Sequence, residues 1–136
     1  MSPAVIFNLA NAFVLIGWIL LIFASHWKLT QNIVLNGVVL ILSFVYLSIF
    51  ITILPEFSAE SFSTLENVKA LFQDDMAVAL GWVHYLAFDL FVGAYIVREG
   101  ISKGMARWQY TICLPFTFMA GPVGFVFFSI FKQFKR

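Results

Sequence analysis

Two side chains that can exchange protons lie inside one apolar stretch of this sequence, His84 and Asp89 in GWVHYLAFDLFVG, Gly81 to Gly93. Proton transfer is the chemistry such a pair offers, through groups tuned by burial and neighbours. Read as a helix, the stretch sets Tyr85, Asp89 and Gly93 on one face at i, i+4 and i+8, with Trp82 beside them. An acid, an aromatic wall and a gap opposite a glycine would make a pocket. His84 stands five residues before Asp89, about 140° around the axis, so the two share no stripe but could converge on one pocket. Asp89 and His84 are therefore the candidate catalytic residues. The alternative is interhelical glue, with Asp89 bonded to an asparagine of another helix. Metal binding is not expected: His26 and His84 are far apart, and no Glu-x-x-His or His-x-x-x-His spacing occurs. Nor is there a nucleophile motif, a phosphate loop or a dinucleotide fingerprint, and no cofactor is implied.

The elements that position these residues follow from composition. Of 136 residues, 62% are hydrophobic and only 11% charged, with 17 Phe and a mean hydropathy of +0.95. That is the composition of an integral, multi-pass membrane protein. A formal charge of +1 points to no nucleic-acid partner. The lone Cys113 excludes an intrachain disulfide framework. In the bilayer a carboxylate costs roughly 2.5–3.5 kcal/mol near the midplane, so Asp89 needs a reason to be there.

Room exists for about four spans of roughly 20 residues, and the predicted architecture is all-α: one four-helix transmembrane domain over 1–136, with a short interfacial helix between spans two and three. Span one is expected at Pro3 to Ala24, read as a retained span because no basic n-region precedes it. Span two covers Thr30 to Leu54 and ends at Pro55; span three covers Met76 to Val97 and stops at Arg98, Glu99 and Gly100. Span four runs from Trp108 to Phe131 through Pro115 and Pro122. In the loop, Ser63 and Glu66 fit a capping box, and Leu65, Val68, Leu71 and Phe72 fall at helical spacing. Asp74 and Asp75 suit the positive end of span three.

At about 1.5 Å per residue, His84 and Asn11 come to a common depth, roughly 12 Å below the surface nearest the termini. Tyr46 of span two and Gly121 to Gly124 of span four fall in the same layer. Pro122 cannot donate to the Phe118 carbonyl, leaving that oxygen free for a ligand or another helix. Trp82, Tyr85, Asn11, Tyr46, Gly93, Gly121 and Pro122 are the expected substrate-binding residues. Four spans would put both termini on one side. Lys69, Lys132, Lys135 and Arg136 then oppose Lys28, Arg98, Lys103 and Arg107, a tie that leaves the orientation open.

WVHYLAFDLFVG (Trp82 to Gly93) and LPFTFMAGPVGFVFF (Leu114 to Phe128) resemble the abscisic-acid-deficient, neoxanthin synthase-like family, over nearly the whole chain. The pattern departs at Ala94, where a basic residue is expected after DLFVG. The resemblance implies isomerisation of an epoxycarotenoid to an allene in the membrane, without an external cofactor. It casts Asp89 as the acid and His84 as the base, or the reverse. It also implies an apolar partner, a carotenoid or other lipid, while the absence of a recognisable transit peptide points to a bacterial-type protein or a mature form, and so to a bacterial inner or plasma membrane location. A non-catalytic carotenoid- or lipid-binding protein or assembly factor is the second expectation, and a proton pathway through Asp89 the third.

Overall fold

In the computed structural model, which describes residues 1–134, the longest helices are the three earliest apolar segments. Helix α1 is Pro3–Phe23, α2 is Thr30–Glu56 and α4 is Asp75–Ser102, and all three are long and apolar enough to cross a membrane. Between α2 and α4 lies the short helix α3, Leu65–Leu71. The chain then forms α5 (Arg107–Thr111), α6 (Cys113–Met119) and α7 (Gly121–Gln133).

Local chemistry sets the ends. Ser2 caps α1, with Pro3 in the first turn where its missing N–H is harmless. Thr30, fully buried, donates to the Ala24 carbonyl at 2.6 Å and ties the α1–α2 turn. Helix α2 carries a π-helical stretch, Ile33–Val39, and closes with a 3-10 turn holding Pro55. Helix α3 is capped one residue later than the sequence suggests. Thr64, not Ser63, accepts from the amide three residues on, that of Asn67, at 3.2 Å. Ser63 is already committed to the preceding turn, donating to the Glu60 carbonyl at 2.8 Å.

Asp74 caps α4, accepting from the Ala77 amide at 2.9 Å, and Asp75 sits in the first turn, where an anion favours the helix dipole. Its far end corrects the expected stop at Arg98 to Gly100. The helix continues to Ser102 and closes at Gly104, whose φ of 61° is the left-handed conformation that glycine adopts freely. Gly104 N–H reaches the Ile101 carbonyl and Met105 N–H the Gly100 carbonyl, both at 2.9 Å, a Schellman closure. Gly100 belongs inside the helix because Tyr110 packs onto it; an added Cβ would lie 2.7 Å from the Tyr110 ring.

Helix α4 is the axis of the bundle. It contacts α1, α2 and the later helices, and Val83, Leu90, Ala94, Ile96 and Val97 have no exposed surface. Against α1 the fit is reciprocal: Leu90 fills the space over Gly17, and Trp18 the space over Gly93, where a Cβ would lie 2.8 Å from the indole. Lipid tails are as apolar as leucine, so close approach of this kind, more than hydrophobic transfer, holds membrane helices together.

The expected fourth span is a hairpin. At Ala120 the backbone leaves the helix (φ −158°, ψ 95°) and reverses. Phe116 and Phe127 then meet edge to face at 4.9 Å, and Trp108 and Phe131 at 6.4 Å. On a straight helix residues 108 and 131 would stand about 34 Å apart. Gly124 makes the reversal close, since a Cβ there would lie 2.5 Å from the Thr117 amide nitrogen. Pro115 follows the break between α5 and α6, and Pro122 starts α7, where it needs no N–H donor. It therefore frees no Phe118 carbonyl inside a continuous helix, as the sequence suggested.

The base of the hairpin stays at the C-terminal end of α4. Arg107 donates to the Ile22 and Phe23 carbonyls at the end of α1 (3.0 and 2.9 Å), and Lys132 pairs with Glu99 at 3.6 Å. Its tip meets α4 at Tyr85 and Asp89, halfway along. The start of α1 and the end of α7 consequently lie at opposite ends of the bundle, not together. Among the described residues, Lys28, Arg98, Lys103, Arg107 and Lys132 cluster at the end that holds the hairpin base, and Lys69 stands at the other. Lys135 and Arg136, used in the sequence count, lie outside the described residues.

Candidate functional site

Where the hairpin tip touches α4, several of the expected site residues come together. Trp82 donates from Nε1 to Asn11 Oδ1 of α1 at 2.9 Å and stacks on Tyr85, ring centroids 5.2 Å apart. The Tyr85 hydroxyl donates to the Met119 carbonyl, the last of α6. Asp89, one turn further, is 8% exposed, and its Oδ1 occupies the space a Cβ would take on Gly121, the first residue of α7. The Asp89 carboxyl packs against the Gly121 backbone, close to Tyr85 on the preceding turn of α4. Asp89 Oδ2, although buried, has no hydrogen-bond partner.

This arrangement follows from the reversal. A break in a helix strands backbone groups that a bilayer cannot solvate. Tyr85 answers the carbonyl before the turn, and the Asp89 carboxyl packs against Gly121 just after it. Asn11, Trp82, Tyr85, Asp89, Gly121 and Pro122 thus form one neighbourhood. The sequence did not single out Met119, because its contribution is a backbone oxygen exposed only by the reversal.

Three expected residues lie elsewhere. Gly93 faces Trp18 and Leu21 of α1. His84 points to another side of α4, stacked on Phe88 at 4.7 Å and 5.7 Å from the Tyr46 ring of α2. His84 and Asp89 therefore do not converge: one lies beside Tyr46 of α2 and the other beside Gly121 at the hairpin tip. Among the described residues, no three His, Cys, Asp or Glu side chains gather as a metal site would require.

The family model described as ABA DEFICIENT 4-like matches residues 5–128. The chain belongs to this family. The match takes in the three long helices, both arms of the hairpin and the Asp89 neighbourhood. The ABA DEFICIENT 4 protein of Arabidopsis thaliana, a chloroplastic protein, is 27% identical over 131 residues. That alignment covers 89% of this chain but 57% of the Arabidopsis protein, so the chain spans little more than half the length of its relative. No solved structure matches it.

The His84 side of this ABA DEFICIENT 4-like chain has a geometry of its own. A cleft of about 320 Å³ opens between the end of α2, α3 and the start of α4, with Tyr46, Phe50, Phe72 and His84 in its walls. From the loop, the rings of Phe62, Phe57, Phe50 and Tyr46 follow one another at 5.8–5.9 Å with planes within 26° of parallel. His84 takes up the series on α4 and passes it to Phe88 and then Phe91, the last step 6.4 Å. His84, Phe88 and Phe91 share one helix face at i, i+4 and i+7, a spacing that the sequence analysis did not single out, and neither did it find the continuation onto α2 and the loop.

Proposed function

We propose that this ABA DEFICIENT 4-like protein acts on a carotenoid dissolved in the membrane, isomerising an epoxide end group with Asp89 as the proton-transfer residue. One observation carries the reading. The Asp89 carboxyl is buried where charge is costly, yet one of its oxygens serves no neighbouring group.

The reaction balances with this one group. Protonated Asp89 gives its proton to the epoxide oxygen as the ring C–O bond breaks. The carboxylate then takes the proton released from the polyene carbon as the allene forms, and the residue returns to its starting state. Packing against Gly121 would hold the carboxyl in place, and no external oxidant or reductant is consumed. His84 has no part in these steps, because it points to another side of α4. Met119 and Phe118 at the hairpin tip are 72% and 37% exposed, so an apolar substrate would approach Asp89 sideways past the tip.

In this reading α1, α2 and α4 cross the bilayer and residues 107–133 enter and leave from one side. The cationic end then faces the cytoplasm by the positive-inside rule, and the loop between α2 and α4 faces outward. A bacterial inner or plasma membrane fits this arrangement.

The test is co-expression with an epoxycarotenoid-producing pathway, followed by pigment analysis. The wild-type chain is expected to convert an epoxycarotenoid to its allenic isomer, and Asp89→Asn to lose conversion at equal membrane abundance. Full conversion by Asp89→Asn refutes the proposal. The aromatic series on the His84 side favours a second reading, a protein that holds a carotenoid without changing it. Purified wild-type protein that retains pigment but never converts it would decide for that alternative.

A further inference from the structure

We infer that the cationic end of the bundle carries a site for one anionic phospholipid whose headgroup ends in a hydroxyl, the chemistry of phosphatidylglycerol, in the cleft between the start of α2 and the end of α4. The inference needs the chain to sit in a bilayer and is independent of any chemistry at Asp89.

The polar groups around this cleft have complementary needs. Gln31 of α2 and Tyr95 and Arg98 of α4 line it, with Leu35 and Phe91. Gln31 Nε2 donates to the Ala94 carbonyl at 3.1 Å, which fixes the amide's orientation, because the Gln31 oxygen has nothing to accept from a carbonyl. Its buried Oε1 is left without a donor. Among the described residues, Arg107 is engaged by the end of α1 and Lys132 by Glu99, whereas the Arg98 guanidinium and the Tyr95 hydroxyl are joined to no side chain or carbonyl. One acceptor in need of a donor beside two donors in need of an acceptor suits a phosphodiester that carries a hydroxyl. The phosphate oxygens would accept from Arg98 and Tyr95, and the hydroxyl would donate to Gln31.

Charge and size narrow the headgroup. At this end Lys28, Arg98, Lys103, Arg107 and Lys132 face Glu99 as the one acid among the described residues, so an anion is favoured. The cleft holds about 20 Å³, enough for one water-sized group, which needs roughly 10–15 Å³, and far too little for a whole headgroup. Only the terminal hydroxyl can enter, with the phosphate outside against Arg98. An ethanolamine headgroup also ends in a donor, but its ammonium would enter beside the Arg98 charge. Choline has no donor to offer.

Depth agrees with this placement. Gln31 lies at the first turn of α2 and Leu35 one turn further in, while Phe91 stands about 10 Å inward of Arg98 along α4. Polar groups at the membrane surface and apolar ones below them follow the order of headgroup and acyl chain in a leaflet.

The experiment is native mass spectrometry of the full chain from detergent micelles holding equal amounts of phosphatidylglycerol, phosphatidylmethanol and phosphatidylcholine. Phosphatidylmethanol has the same phosphodiester charge and no headgroup hydroxyl. The wild-type chain is expected to retain one phosphatidylglycerol, about fivefold over phosphatidylmethanol, the scale of one hydrogen bond. Gln31→Leu should retain the two equally. Arg98→Gln, a change at an exposed side chain, should lose both about tenfold relative to phosphatidylcholine, while Lys103→Gln, a cation of the same end outside the cleft, should behave as wild type. Equal retention of phosphatidylglycerol and phosphatidylmethanol by the wild type overturns the site, as does undiminished discrimination in Gln31→Leu. Equal weakening by Lys103→Gln and Arg98→Gln would show diffuse attraction to a charged surface and overturns it too. Excess glycerophosphoglycerol, the headgroup without acyl chains, should not displace the lipid; displacement would overturn a phospholipid as the occupant.

Discussion

Replacing Gly124 with alanine separates a hairpin from a span by the sign of its effect on stability. In a straight membrane helix, the change removes an entropically costly glycine and stabilises by roughly 0.5–1 kcal/mol. In the hairpin, the new Cβ would lie 2.5 Å from the Thr117 amide nitrogen and 2.7 Å from its Cα. These are backbone atoms in the facing arm and cannot swing away as a side chain can, so relief requires the arms to part. Overpacking of this kind costs about 1–3 kcal/mol. Gly37 is the internal control, because a Cβ there meets nothing nearer than 4.0 Å. Reversible unfolding in mixed micelles with increasing dodecyl sulfate, followed by tryptophan fluorescence, gives both values. The expected outcome is destabilisation for Gly124→Ala and no loss for Gly37→Ala. Stabilisation by Gly124→Ala would refute the reversal at Ala120 and return residues 108–131 to a single span.

Two further outcomes follow from the same architecture. With Cys113 replaced by serine, single cysteines at Ser2 and Gln133 should react with an impermeant maleimide from opposite faces of sealed vesicles; labelling from one face would restore an even number of crossings. The Asn11–Trp82 bond is the side-chain link between α1 and α4 beside the site, so Asn11→Ala should destabilise by about 0.6–1.7 kcal/mol, the range for hydrogen bonds between membrane helices. The same loss should appear in Trp82→Phe, and the double variant should lose little more; additive losses would show that the two side chains act separately.

Hydropathy and caps made the first three long helices legible. Apolar runs delimit α1 and α2, and Asp74 marks the start of α4. The end of α4 was misread because Arg98 and Glu99 look like an exit from lipid, when Glu99 is held by Lys132 and Gly100 by Tyr110. The hairpin was hidden for a different reason. Hydropathy counts apolar length and carries no direction, so 24 mostly apolar residues with two prolines read the same whether the chain crosses or turns back. Asp89 was visible as an acid in an apolar helix, and so was its distance around the axis from His84. That Tyr85 and Asp89 would face the turn's own backbone depends on a reversal that only tertiary packing fixes.

The turn at Ala120 also has a bearing on how the protein is made. Residues 107–133 have no independent way of satisfying the peptide groups around their bend in oil, and the partners they need, Tyr85 and Asp89, belong to a helix synthesised earlier. If residues 107–133 enter and leave from one side as proposed, assembly has an order: α4 must be in place before the last segment can fold back against it, and a segment that failed to find Tyr85 would be left to cross as an ordinary span.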